Sequence, residues 1–367
     1  MGLLSKLLGK KEKQNEPEKT EVQSKVNEEG EIEVSLKKGS ESKPLITASI
    51  EMPRFEPEIP DYQGNYAQAV FLNAFQKASP IKQNSEYQAY LLYECGIRNP
   101  AEYHQKMIAE GYLQEASFKD RLYALKVADL KGILKQAGYP VTGKKEILIQ
   151  RILEVGEESM LDAVSTDALF ALSEKGQQFL SLYDDYVKLH KHKVWGIDWQ
   201  EYDSRKEPGY NFYDVCWGIF NERLLQSGNF GRSEYYLMFE LLKEQGNEKL
   251  AFEFLLRIFY LDVSGVEGIS FIELYAKGAW SRKEAKDFFG SSIMLAPGII
   301  DAISRAKEYY SDDLVDELYE TQLPVQVCDK QMFLDLIHSI IDGTYDEEKA
   351  TKKLKKAFEE FVENCTH

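Results

Sequence analysis

The chain has 367 residues, 45 of them Lys or Arg and 61 Asp or Glu, for a formal net charge of −16. An apolar fraction of 43% is too high for a wholly disordered chain, and no uncharged apolar run reaches the roughly 18 residues a membrane-spanning helix needs. Net acidity excludes a protein that coats nucleic acid with its whole surface, but not one local basic site.

The length accommodates two to three domains of about 150 residues each. Cys95, Cys216, Cys328 and Cys365 lie far apart without a Cys-x-x-Cys pair, so reduced thiols in a cytoplasm are expected rather than a disulfide framework or a metal ribbon. No secretory signal is expected, because Met1–Lys10 lacks a continuous apolar stretch. Its Leu3, Leu4, Leu7 and Leu8 share one helical face and precede Lys10, Lys11 and Lys13. Residues 1–13 therefore read as a short amphipathic helix able to meet an anionic membrane surface, although three turns are marginal for an isolated helix in water. Glu12–Ser42 has no aromatic residue and reads as a flexible tail; Pro44, Pro53, Pro57 and Pro60 then predict an extended approach to the first folded unit.

Helices are predicted over Ala67–Ala78 and Ser85–Cys95. A third, capped by Asn99 with Pro100 in its first turn, ends at Gly111. After Tyr112-Leu113 and a polar break, the charge inverts. Residues 119–152 hold eight basic and three acidic side chains, +5 within a −16 chain. Two short apolar stripes lie there, Val127, Leu130, Ile133 and Leu134, then Leu148, Ile149, Ile152 and Leu153. Between them Gly138-Tyr139-Pro140-Val141-Thr142-Gly143 reads as a stop, an extended piece and a restart. Ala168–Leu172 is a candidate strand, and Ser173 caps a helix predicted from Glu174 to His190. Lys188–Tyr202 is polar and aromatic, with Trp195 and Trp199 placed to cover an interdomain seam. Residues 201–367 carry 31 acids and 19 bases and read as nearly all helix. The helices are predicted over Ser233–Glu244, Glu248–Leu261, Ser281–Phe289, Gly298–Tyr310, Asp312–Thr321, Asp329–Ile341 and Asp346–Asn364. Their short links favour antiparallel neighbours.

The segment Leu125–Leu153 resembles a SAP domain, a small helix–extended loop–helix module of chromatin, repair and phage-type proteins. The matching residues are Val127-x-x-Leu130-Lys131-x-x-Leu134, the loop Gly138, and Gly143-x-Lys145-x-x-Leu148-Ile149-x-Arg151. The resemblance covers about a tenth of the chain and implies nucleic-acid contact and a bacterial or mobile-element source. Ile147 departs from the pattern, which is polar there, and is expected to pack against flanking segments. The physics of the window agrees with the resemblance. The start of the second helix offers free backbone N–H groups and a positive dipole end to an anion. Thr142, Gly143, Lys144 and Lys145 sit at that start, Arg151 lies two turns on, and Lys131 and Lys135 share a face of the first helix. These seven residues are the candidate nucleic-acid site. Contacts to phosphate position a protein without reading sequence, so weak, salt-sensitive binding to DNA or RNA is expected.

The flanks resemble winged-helix wiring: a helix, a Gly111-Tyr112-Leu113 strand, then a returning strand ending in Leu172-Ser173-x-Lys175-Gly176. The basic module is expected to be inserted at the tip of that two-stranded wing, because loop-closure entropy grows slowly with length.

No catalytic, metal or cofactor site is predicted. His190 and His192 diverge at i, i+2 on a helix and read as solvated; His104 and His338 read as half-buried helix residues. Asp312-Asp313 and Asp346-Glu347-Glu348 are explained by the helix dipole. Tyr235, Tyr236, Phe239, Phe252, Phe254, Phe259 and Tyr260 fall at helical spacing and read as core.

The expected fold is mainly α. It comprises a tail (1–60), a small helical region (61–118), the SAP-like module (119–154), a strand and helix completing a winged-helix-like middle domain (155–200), and an acidic helical bundle or helix-hairpin domain (201–367). The expected function is non-enzymatic: the module contacts DNA or RNA and residues 201–367 contact a protein partner, in the cytoplasm, at the nucleoid or at the membrane periphery. Two alternatives stand beside it, an interaction adaptor placed at a membrane by its N-terminus and an enzyme with an unrecognised site.

Overall fold

A computed structural model describes residues 21–26, 32–38, 41–42, 58–155, 168–228, 231–264, 281, 283–284, 293, 295–321, 323 and 326–364. The chain forms two compact units, Met1–Pro60 and Asp61–His367. In the first, β1 (Glu21–Val26), β2 (Ile32–Lys38) and β3 (Glu41–Ser42) form an antiparallel sheet in sequence order. Composition alone predicts a flexible segment here. The strand signal it hides is the alternation of Ile32, Val34 and Leu36, with Val22 opposite Leu36 and Val26 opposite Ile32 in the register. The amphipathic segment 1–13 lies outside the described residues.

The second unit is mainly helical. It opens with α1 (Gly64–Asn73), whose Ala67, Val70, Phe71 and Leu72 are buried. The helix predicted over Ser85–Cys95 is reduced to α2 (Tyr90–Tyr93). Tertiary contact overrides the local pattern there. The Tyr87 hydroxyl bonds the Lys82 amide at 3.2 Å and His104 Nδ1 at 2.8 Å, and Tyr87 itself is extended. Helix α3 (Pro100–Ala109) is capped as expected, with the Asn99 side chain accepting from the Glu102 amide. His104 is fully buried rather than half-buried, among Phe71, Phe75, Tyr87 and Phe170.

From α3 the chain enters β4 (Leu113–Glu115), which pairs antiparallel with β5 (Phe170–Leu172) in the register Leu113↔Leu172, Gln114↔Ala171 and Glu115↔Phe170. Ser79 bridges to Phe170 from the other side, through bonds of 2.9 and 3.0 Å. The pairing that winged-helix wiring requires is therefore present, with a single-residue third strand. Between the paired strands lie α4 (Phe118–Ala124), α5 (Val127–Gln136) and α6 (Lys145–Val155).

The Leu172–Gly176 motif locks the base of this ribbon. Ser173 Oγ donates to the Gly111 carbonyl at 2.6 Å and accepts from the Gly176 amide at 3.1 Å, capping α7 (Glu174–Leu182). Lys175 Nζ donates to the Glu110 carbonyl and sits 4.1 Å from the Tyr112 ring centroid. A Cβ at Gly176 would collide with the Tyr112 carbonyl oxygen, so the close approach of helix and strand requires glycine.

The single helix predicted from Glu174 to His190 is broken at Tyr183 into α7 and α8 (Asp184–Lys191). His190 and His192 diverge, but neither is simply solvated. His190 Nδ1 bonds Glu94 Oε1 at 2.8 Å, with the His190 side chain 17% exposed. Lys193 and the Tyr66 hydroxyl also donate to Glu94. Burial alone would raise the Glu94 pKa, but these three donors outweigh it and hold the carboxylate at about 2. His192 pairs with Glu244 at 3.1 Å and stacks on Trp195 at 4.1 Å.

Two further helices, α9 (Trp199–Arg205) and α10 (Phe212–Gln226), have no clear apolar period. Their legible signals are caps: Asp198 accepts from the Glu201 amide, and Asn211 and Asp214 form a capping box. The hairpin of α11 (Arg232–Glu244) and α12 (Glu248–Ser264) matches the sequence reading and packs on α13 (Pro297–Arg305). The chain then continues through α14 (Asp312–Thr321), α15 (Lys330–Ile341, capped by Asp329) and α16 (Glu347–Asn364). The helix predicted over Ser281–Phe289 lies almost wholly outside the described residues. One apolar core runs from Tyr66 to Phe358. Trp195 carries it across residue 200 by packing on Phe212 and Phe220. Cys95, Cys216 and Cys328 are buried free thiols that burial pushes up to about 12. None of the described helices is long and apolar enough to cross a membrane.

Candidate nucleic-acid interface

The basic window has its own core. Leu122, Leu130, Ile133, Leu134, Leu148, Ile149 and Ile152 form a cluster separate from the main one, with Phe118, Leu125, Val141 and Leu153 packed against it. Full burial of such aliphatic side chains stabilises by about 1.5–3 kcal/mol each, which offsets the entropy of ordering three short helices. Helix α4 is a third helix at the start of the basic window, where the sequence reading expected only two. Its signal was the capping box of Ser117 and Asp120, in which Ser117 Oγ accepts from the Asp120 amide at 3.2 Å and the Ser117 amide donates to Asp120 Oδ2 at 3.3 Å. Leu122 then supplies a fully buried face to the other two helices.

Helix α5 begins where the Lys126 amide donates to Asp129 Oδ2 at 3.1 Å. It ends with Gly138 at φ 77° and the Tyr139 amide bonded to the Leu134 carbonyl at 2.8 Å, a closure that favours glycine. Lys131 and Lys135 are exposed, opposite the buried Leu130, Ile133 and Leu134. Helix α6 starts when the Lys144 carbonyl accepts from the Ile147 and Leu148 amides. The first N–H groups of α6 then have no acceptor within the helix. Gly143, at φ 129°, makes the turn into it.

Ile147 does not pack against flanking segments. It is 50% exposed and covers Gly143, where an added Cβ would lie 3.0 Å from Ile147 Cγ2. The loop has little room for any residue but glycine on that side.

The seven candidate residues divide into two kinds. Thr142, Gly143 and Lys144 are exposed at the start of α6, and Lys131 and Lys135 are exposed on α5. Among the described residues no ion pair or side-chain hydrogen bond engages Lys131, Lys135 or Lys144. Lys145 and Arg151 are used internally instead. Lys145 Nζ donates to the Tyr123 carbonyl at 2.7 Å, tying α6 to the end of α4. Arg151 donates to the Pro140 carbonyl and, at 3.2 Å, to that of Thr142, so it braces the loop. Sequence reasoning placed both beside a phosphate. The structure satisfies two loop carbonyls with Arg151, because an extended loop over a small core has few backbone partners of its own. Lys119 and Lys126 are further exposed cations that the sequence reading did not single out.

Among the described residues no group of His, Cys, Asp and Glu is placed to hold a metal ion. A cleft of about 740 Å³ lies between α11, α12 and α13; its lining mixes apolar and aromatic side chains such as Phe239, Phe252, Leu255 and Ile299 with charged ones of both signs, among them Arg232, Glu240, Lys243 and Glu248.

A family model for the SAP domain matches residues 124–155. No curated protein and no solved structure matches the chain. Residues 124–155 are a SAP domain, and α4, which lies almost entirely before the matched region, completes its core.

Proposed function

We propose that this SAP domain-containing protein is a non-enzymatic, nucleic-acid-associated protein. Its SAP domain makes weak, sequence-independent contact with DNA or RNA, and its acidic helical body engages a protein partner. SAP domains are generally linked to nucleic-acid binding. The observation that carries the reading is the free cationic surface of a separately cored module inside a −16 chain: Lys131, Lys135 and Lys144 are exposed and uncommitted. The acidic bulk repels a phosphate backbone and confines contact to this module. Few phosphate contacts imply weak, salt-sensitive binding. The cleft between α11, α12 and α13 supports the partner role, since apolar and aromatic side chains line it together with charges of both signs.

The test is binding of the full chain to DNA and RNA across a salt series, compared with Lys131→Glu/Lys135→Glu/Lys144→Glu. Affinity in the parent falling linearly with log salt, and lost in the triple variant, supports the reading. Binding that ignores both salt and the substitutions, or none in the parent at low salt, overturns it.

A further inference from the structure

We infer that the SAP module takes single-stranded nucleic acid in preference to duplex, with unpaired bases stacking on Tyr123 and Tyr139. The inference rests on the reading of the module as a nucleic-acid contact and names the form of the ligand. Tyr123 and Tyr139 are 38% and 42% exposed. Among the described residues neither ring pairs with another aromatic ring, and neither hydroxyl makes a hydrogen bond. Tyr62 and Tyr236 are exposed but partnered, by a 2.7 Å hydroxyl contact with Tyr103 and a 6.1 Å approach to the Phe239 ring; Tyr93 and Tyr210 are exposed without a ring partner among the described residues but lie outside the basic module, which is what sets Tyr123 and Tyr139 apart.

The backbones that carry Tyr123 and Tyr139 are pinned although their rings are not. The Tyr123 carbonyl accepts from Lys145, the Tyr139 amide donates to the Leu134 carbonyl, and the neighbouring Pro140 carbonyl accepts from Arg151. Lys145 and Arg151 both belong to α6, so this one helix fixes the two aromatic positions. The two cations that hold these segments lie six positions apart on α6. A pinned backbone lowers the ordering cost of binding. The exposed Lys144 and Lys126 next to these segments supply the charge that a phosphate backbone matches. A duplex hides its base faces in its own stack, so only an unpaired strand can use both the rings and the lysines. An apolar protein partner would use the rings without the lysines.

The test uses the full chain and fluorescence anisotropy. The probes are a labelled oligothymidine of about twenty nucleotides and the duplex it forms with oligoadenosine, at one fixed salt concentration. The expected result is tighter binding to the single strand by about five-fold or more, with Tyr123→Leu and Tyr139→Leu each weakening single-strand binding by about ten-fold. Duplex binding by both variants stays within about two-fold of the parent, and Tyr→Phe at either position preserves both affinities. Thermal melts of the Leu variants that match the parent keep a folding defect from imitating the effect. Duplex bound as tightly as the single strand, or Leu variants that bind the strand normally, overturns the inference and leaves the nucleic-acid reading standing. No binding of either probe by the parent at low salt overturns the inference, and failure of the matching RNA probes as well overturns the nucleic-acid reading.

Discussion

Glu115 and Phe170 face each other across the two-stranded ribbon, with the whole basic module lying between them in sequence. The amide of Ala116 reaches the carbonyl of Leu169 at 2.8 Å, so the ribbon is still closed where the module leaves and returns. A module with its own core can hang from such a ribbon because closing a long loop costs little more than closing a short one.

Replacing residues 117–168 by Asn-Gly should therefore turn the ribbon into an ordinary hairpin. Among the described residues, the main core holds none from the module. The shortened chain should stay folded, with far-ultraviolet circular dichroism reduced only by the lost helices and a single cooperative melt. A collapse of the helical signal would show that the two cores depend on each other.

Lys144 and Lys145 are neighbours with different jobs. Lys144→Ala should leave the melting temperature unchanged and lower the slope of log affinity against log salt by roughly one contact. Lys145→Ala should instead destabilise the module by about 1 kcal/mol, because the Tyr123 carbonyl loses its donor. Hydrogen exchange of the α4 and α6 amides distinguishes the two.

Arg151 bonds two loop carbonyls. Arg151→Ala should cost about 1–3 kcal/mol of module stability, measured as faster amide exchange in α5 and α6. Arg151→Lys should recover only part of it, since a single ammonium lacks the guanidinium fork. Unchanged protection in the alanine variant would return Arg151 to the list of free cations.

Gly176→Ala should be among the most damaging small substitutions in the chain. Its methyl group would occupy the position of the Tyr112 carbonyl oxygen, forcing α7 away from the ribbon. A loss of about 1–3 kcal/mol in chemical denaturation is expected. Ser173→Ala, which removes a cap and a bond to the Gly111 carbonyl, should cost about 1–2 kcal/mol.

His104 gives the main unit a pH dependence. Burial, with a smaller contribution from Lys82, lowers its pKa to about 4 from the ordinary 6.5. The unfolded chain therefore binds a proton that the folded chain refuses between those values. Stability is fully present above pH 6.5 and declines as pH falls towards 4, by an amount on the order of 3 kcal/mol. Denaturation at pH 7.5, 6 and 4.5 should show this slope, and His104→Gln should flatten it. Glu94, held at about 2, adds a loss that begins only below its ordinary value of 4.5.

Much of the fold was legible in residue order. The apolar periods of α3, α5, α6, α11, α12 and the last helices, their caps, and the Gly111 and Gly138 stops are local signals, readable because helix formation and capping involve neighbours within four residues. The basic window and its SAP-like pattern were equally local, as were the two strands of the ribbon. Tertiary structure decided the rest. The Tyr87 hydroxyl, reaching Lys82 and His104, shortened a helix that looked continuous. Glu94 gathered His190, Lys193 and Tyr66 from distant segments. Lys145 and Arg151 carry the same charge as Lys144, and the SAP-like pattern that includes the first two and not the third does not say what they bind. Only the fold showed which carbonyls lay within their reach, because a long cation binds whatever unpaired oxygen the packing of other segments brings near it.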